Sequence, residues 1–210
     1  MYTLHSEHIE AHGLAFRISI EQDDISRRPW DECEGYGPVR QVTRGYYDSH
    51  ISKSPGERVL HIGDRNCYSW VYDWAGAIKL AQKDGWGVSE ENRPANWDHL
   101  TKRQQREIAV QRDFDFLKAW CDSDWVWSGV CVDLMVEDDD GDLVKYEGPL
   151  DCSDSLWSVE FWQYHSLDSE KNSYAKETAL EMIESIAKRY LDEQAERKAC
   201  EERDIATEAV

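Results

Sequence analysis

Residues 130–148, VCVDLMVEDDDGDLVKYEG, change chemistry twice within one short stretch. Val130, Val132, Leu134 and Val136 recur at period two, the pattern of a strand with one buried face. Glu137, Asp138, Asp139, Asp140 and Asp142 then crowd around Gly141, and "LVKYEG" resumes an extended pattern. An Asp-Gly pair between two such runs is a hairpin signal, because these residues tolerate the positive φ angles of a tight turn. The reading is strand, acidic turn, strand.

Working outward, Leu14, Phe16, Ile18 and Ile20 alternate with Ala15, Arg17 and Ser19 as in a second half-buried strand, closed by "EQDD". "SRRPWDECEGYGPVR" reads as a loop, short strands are expected over Val39 to Arg44 and Arg58 to Ile62, and another through "SLWSVEFW". Trp70, Trp74, Ala77, Ile78 and Ala81 fall at helical spacing from Ser69 onward, and "KDGWG" supplies a lysine in the last turn and a glycine stop. A second helix is expected from "DHLTKRQQREI", with Leu100, Ile108, Phe116 and Trp120 among its apolar positions. The last helix carries the stripe Ala175, Ala179, Met182, Ile183, Ile186 and Tyr190 against Glu, Lys and Arg elsewhere. The fold class is therefore α+β, an antiparallel sheet with about three packed helices and a C-terminal amphipathic helix. A single domain is expected over residues 1–195, with 196–210 a frayed tail.

With 210 residues and 40 % apolar content the chain can bury a core without staples. The N-terminal sequence has neither the basic start nor the apolar run of a secretory signal, and no stretch approaches a membrane span, so a cytoplasmic protein is expected. Six cysteines stand widely apart with no C-x-x-C, as expected for reduced thiols. The net charge of −19 is local: residues 1–112 carry −2 and residues 113–210 carry −17. From Cys121 to Glu170 fourteen acids face the single base Lys145. Such a field argues against direct binding of nucleic acid or of an anionic membrane, and favours a basic partner.

The acidic turn does not make an EF-hand. With Gly141 at the sixth position the first falls on Val136, and the flanks read as strands. His5, His8 and His12 would share a face of a helix and are a weak candidate metal site; surface histidines are the plainer reading. His61, Asp64 and Cys67 hold a Cys/His pair, the minimum for a thiol nucleophile, without any family signature around it. Walker, dinucleotide, nucleophile-elbow and HExxH motifs are all missing, and 43 acids do not single out a catalytic pair. No catalytic residue and no cofactor is expected. Of ten tryptophans, Trp120, Trp125, Trp127, Trp157 and Trp162 lie in or beside the acidic block. Most large aromatics are core, but indoles beside carboxylates also make receptors for arginine.

The order "WVWSGV", acidic hairpin, "DSLWSVE" and tyrosine-bearing helix resembles small accessory proteins of tailed phages that carry a D-S-L-W-G-[IV]-E box before the last helix. The matching positions are Asp154, Ser155, Leu156, Trp157, Val159 and Glu160, with Ser158 in place of the glycine, and the likeness spans roughly residues 125–190. What the resemblance implies is a phage product made in a bacterial host. The functional expectation is a non-enzymatic inhibitor of the anti-restriction or anti-CRISPR type. Its acidic face would imitate DNA toward a basic host protein that binds nucleic acid. The residues assigned to that face are Asp122, Asp124, Trp125, Glu137, Asp138, Asp139, Asp140, Asp142, Asp151 and Asp154. The alternatives are an adaptor or inhibitor that binds protein through an aromatic surface, a metal-dependent enzyme, and an accessory virion protein.

Overall fold

The computed structural model describes residues 2–24, 27–32, 34–43, 51, 53–62 and 68–208, with side chains described to Arg203. The protein is α+β. Where one domain over 1–195 was expected, the contacts fall into two compact units. The first joins residues 1–26 to 125–210, and the second is residues 27–124.

The first unit is a five-stranded antiparallel sheet of β1 (Thr3–Ala11), β2 (Leu14–Gln22), β6 (Trp125–Glu137), β7 (Leu143–Lys145) and β8 (Ser153–Trp162). β1 pairs with β2 and β2 with β6, while β7 and β8 share the other edge of β6. The register sets Phe16 opposite Leu134, Ile18 opposite Val132 and Ile20 opposite Val130. These residues, with Val159 and Phe161, form one apolar face. Helix α4 (Ser173–Glu208) covers that face with Ala175, Ala179, Met182, Ile183 and Ile186, each at most 9 % exposed, and Tyr190 packs at the margin. Each large aliphatic side chain buried in this way contributes about 1.5–3 kcal/mol. The expected tail over 196–210 is thus helical through Glu208.

β8 contains a bulge whose form follows from the sequence around Trp157. Ser128 pairs with Val159 and Val130 with Leu156, so Trp157 and Ser158 together oppose the single residue Gly129. Ser158 takes φ +63°, the left-handed region in which a side chain is strained. A Cβ on Gly129 would lie 2.6 Å from the Trp157 ring, so the glycine makes room for the indole. The box residues Trp and Ser/Gly are therefore the two bulge residues, and a glycine at 158 suits the backbone better than the serine present.

In the second unit β3 (Val39–Thr43), β5 (Tyr68–Asp73) and β4 (Glu57–His61) form a three-stranded antiparallel sheet. Helices α2 (Trp74–Asp84) and α3 (Lys102–Cys121) share its core of Leu60, Tyr72, Ala77, Ala81, Val110 and Leu117. Short helix α1 (Pro29–Glu32) interrupts the expected loop. Trp70 belongs to β5, not to the helix that its spacing suggested. The Asp73 carboxylate accepts from the Gly76 N–H and starts α2 one residue later, and Gly85 ends it with φ +69°. α3 opens with a capping box of Thr101 and Gln104, so Leu100 lies before it. Its buried positions are Ala109, Val110 and Leu117, with Ile108, Phe116 and Trp120 only half buried.

Replacing Ser158 with glycine is expected to raise stability by up to about 1 kcal/mol, since relief of the left-handed strain exceeds the added chain entropy. Gly129→Ala is expected to cost about 1–3 kcal/mol by pushing the indole off β6. Thermal and denaturant melts of the two variants check both signs.

Candidate partner-binding surface

The charge follows the structural division. The first unit holds 27 acids and 9 bases, a net −18, and the second holds 16 and 15, a net −1. Within the first unit the acids cluster where the chain turns between β6 and β7. Glu137 opposite Leu143 is the last pair, so the loop is Asp138 to Asp142, longer than a two-residue turn. Gly141 alone in it takes positive φ, at +85°; Asp140 does not.

Asp138 organises the loop. Its Oδ1 accepts from the N–H groups of Asp140 (3.0 Å) and Asp142 (2.9 Å), its own N–H donates to the Asp142 carbonyl at 2.9 Å, and its carbonyl accepts from Gly141 at 3.0 Å. An Asp at this position therefore has a local structural reason. Glu137, Asp139, Asp140 and Asp142 have none: all four are exposed, and among the described residues no cation pairs with any of them.

Lys145, the one base nearby in sequence, is engaged elsewhere. Its Nζ lies 2.6 Å from Oδ1 of Asp133, while Arg17 Nη2 lies 2.8 Å from Oδ2. Asp133 is 7 % exposed, on the sheet face away from α4. Burial works to raise its pKa, but the hydrogen bonds and charges of Lys145 and Arg17 outweigh burial and hold the carboxyl below its ordinary value. Among the described residues, the hairpin thus has no cation paired to it.

That second face is polar by register. Arg17 lies opposite Asp133 and Asp133 opposite Ser153; Ser19 lies opposite Cys131 and Cys131 opposite Ser155; Glu21 lies opposite Gly129. Together with Lys145, Asp151 and Asp154 these residues, Gly129 excepted, line a groove of about 490 Å³. Asp151 accepts from the Ser153 N–H at 3.1 Å and Asp154 from the Ser155 N–H at 2.8 Å, which orders both carboxylates at the rim.

The remaining assigned residues separate. Asp122 and Asp124 belong to the second unit. Asp122 caps α3 and its carboxylate lies 2.7 Å from Lys118 Nζ, while Asp124 is half buried. Trp125 is fully buried, its ring 5.1 Å from that of Trp127, and it offers nothing to a partner. Placing it on the binding face is corrected: it is a core residue of β6. His5, His8 and His12 do not share a helical face either, since His5 and His8 lie on strand β1 and point to opposite sides of it. His5 pairs with Glu7 at 3.2 Å and His12 with Glu184 at 2.9 Å. Among the described residues no group of three or more His, Cys, Asp or Glu side chains is placed to hold a metal.

Asp64 and Cys67 lie outside the described residues. Burial pushes the Cys121 thiol up to about 12 and the Cys131 thiol to about 11, so neither supplies thiolate at neutral pH. Among the described residues no helix is long and apolar enough to cross a membrane. No family model, curated protein or solved structure matches this chain.

Sequence reasoning missed the Arg17, Asp133, Lys145 cluster, although Arg17 and Asp133 each interrupt an apolar alternation at its off-beat. It also missed Glu160, a half-buried carboxylate opposite Trp127 whose pKa burial raises.

Asp133→Asn is expected to cost about 1–2 kcal/mol at neutral pH, a value reduced because the two cations are well exposed and can be resolvated. Because the folded pKa of Asp133 is lowered, its contribution is complete above the ordinary carboxylate range near pH 4. It is lost as the pH falls through the lower folded value. Denaturant stability measured against pH should therefore show variant and parent converging on acidification.

Proposed function

We propose that this chain acts by binding rather than by catalysis: its acidic unit occupies a basic, nucleic-acid-binding surface on a partner protein in the place of the phosphate backbone. The observation that carries this reading is the −18 of the first unit together with hairpin acids that, among the described residues, no cation pairs with. Self-repulsion of that size opposes folding, so its concentration on one unit has a physical explanation if a positive surface receives it. Duplex DNA carries one negative charge per about 1.7 Å of axis, and the proteins that bind it neutralise a share of those phosphates with Lys and Arg. A surface built for that task accepts carboxylates held on an ordered hairpin.

The resemblance of the DSLWSVE segment to phage accessory proteins extends the proposal to its setting. The chain is then a phage product acting in the cytoplasm of an infected bacterium, and its target a host defence protein of the restriction or CRISPR class.

The test is the quadruple charge reversal Glu137→Lys, Asp139→Lys, Asp140→Lys and Asp142→Lys, with Asp138 kept to preserve the loop. From host lysate the parent chain is expected to capture a nucleic-acid-binding protein and to release it when DNA is added, while the variant loses capture at least tenfold. Equal capture by parent and variant, or a captured protein indifferent to DNA, contradicts the proposal.

A further inference from the structure

We infer that the groove on the polar face of the first unit's sheet is a receptor for an arginine side chain of a basic polypeptide, with Trp157 as an aromatic surface beside its Glu21 end. This inference rests on the acidic-surface reading and names the chemistry that one part of that surface recognises.

Four observations converge on it. The groove, of about 490 Å³, lies within the range of side-chain and small-ligand sites. Its charges are Arg17 and Lys145 against Glu21, Asp133, Asp151 and Asp154, a net −2, which disfavours anionic ligands. Both cations are held by Asp133, which leaves that cluster at +1, and the groove's net negative charge comes from Glu21, Asp151 and Asp154. The bulge lays the Trp157 ring over Gly129, the position that Glu21 opposes across the β2–β6 pair. A carboxylate and a 37 % exposed indole are thereby brought to one place on the sheet, the indole fixed by its contact with the strand.

A guanidinium fits this arrangement better than an ammonium. It is planar, stacks on an indole face, and donates in a fork that suits a carboxylate. The hydroxyls of Ser153 and Ser155 add acceptors along the floor.

The experiment titrates the full chain, labelled with ¹⁵N, with a short peptide of alternating Arg and Ser, and with a control peptide in which every Arg is Gln. The expected result is movement of the Trp157 indole N–H and of the Glu21, Ser153 and Ser155 amides with the Arg peptide and not with the control. Trp157→Ala is expected to weaken binding about tenfold. Because that change also uncovers Gly129, Glu21→Gln is the arm that leaves packing alone, with an expected loss of several-fold at unchanged melting temperature.

Shifts confined to residues 137–142, or equal binding by parent, Trp157→Ala and Glu21→Gln, overturn the groove while leaving the acidic-surface reading standing. Groove shifts that persist when the hairpin reversal leaves partner capture intact support the groove and count against that reading.

Discussion

A strand whose two faces meet different surroundings must alternate, and the middle of β6 (Trp125–Glu137) alternates between two chemistries from Val130 to Leu134. Its even positions Val130, Val132 and Leu134 join β2 and β8 under α4. Its positions Cys131 and Asp133 face the polar groove, and Gly129 on the same side lies against the Trp157 ring. Every other element of the first unit answers to that constraint: β2 repeats the alternation in register, α4 supplies a matching stripe, and the bulge in β8 re-aims Trp157 onto Gly129. A slip of one residue would exchange the faces and set Asp133 and Arg17 into the core.

Electrostatics follows from the same alternation. Asp133 is buried because it lies in the middle of the central strand, and a buried carboxylate requires partners. Arg17 from β2 and Lys145 from β7 provide them. The base nearest the hairpin is thereby engaged by Asp133, and among the described residues no cation pairs with Glu137, Asp139, Asp140 or Asp142. The second unit, at −1, is electrostatically ordinary and built on aromatic packing. In it the Tyr72 hydroxyl donates to Asp113 at 2.5 Å, and Arg58 lies 3.2 Å over the Trp74 ring.

Where periodicity was long and unbroken the sequence was legible. The alternation from Leu14 to Ile20, the hairpin at Gly141 and the α4 stripe are all present in the structure. Periodicity misled where two residues happened to satisfy both templates: Trp70 and Trp74 are four apart, yet a capping Asp73 stands between them and divides strand from helix. The three histidines fell to the same ambiguity. The binding surface was legible only as a charge total. Local density marked the hairpin, but sequence does not show which acid organises a turn, as Asp138 does, or which aromatic is core, as Trp125 is. The groove was invisible because its lining comes from four strands that only the register brings together.

The proposed role requires that the hairpin acids of the first unit stand in for phosphates on a basic partner. Counterion release gives that claim a quantitative signature: affinity falls as a power of salt concentration, with a slope set by the number of charges neutralised. The decisive measurement is the dissociation constant of the captured complex between about 50 and 200 mM salt. The account predicts a steep linear decline of log affinity with log salt, shallower in the hairpin charge-reversal variant. An affinity that salt leaves unchanged would contradict it.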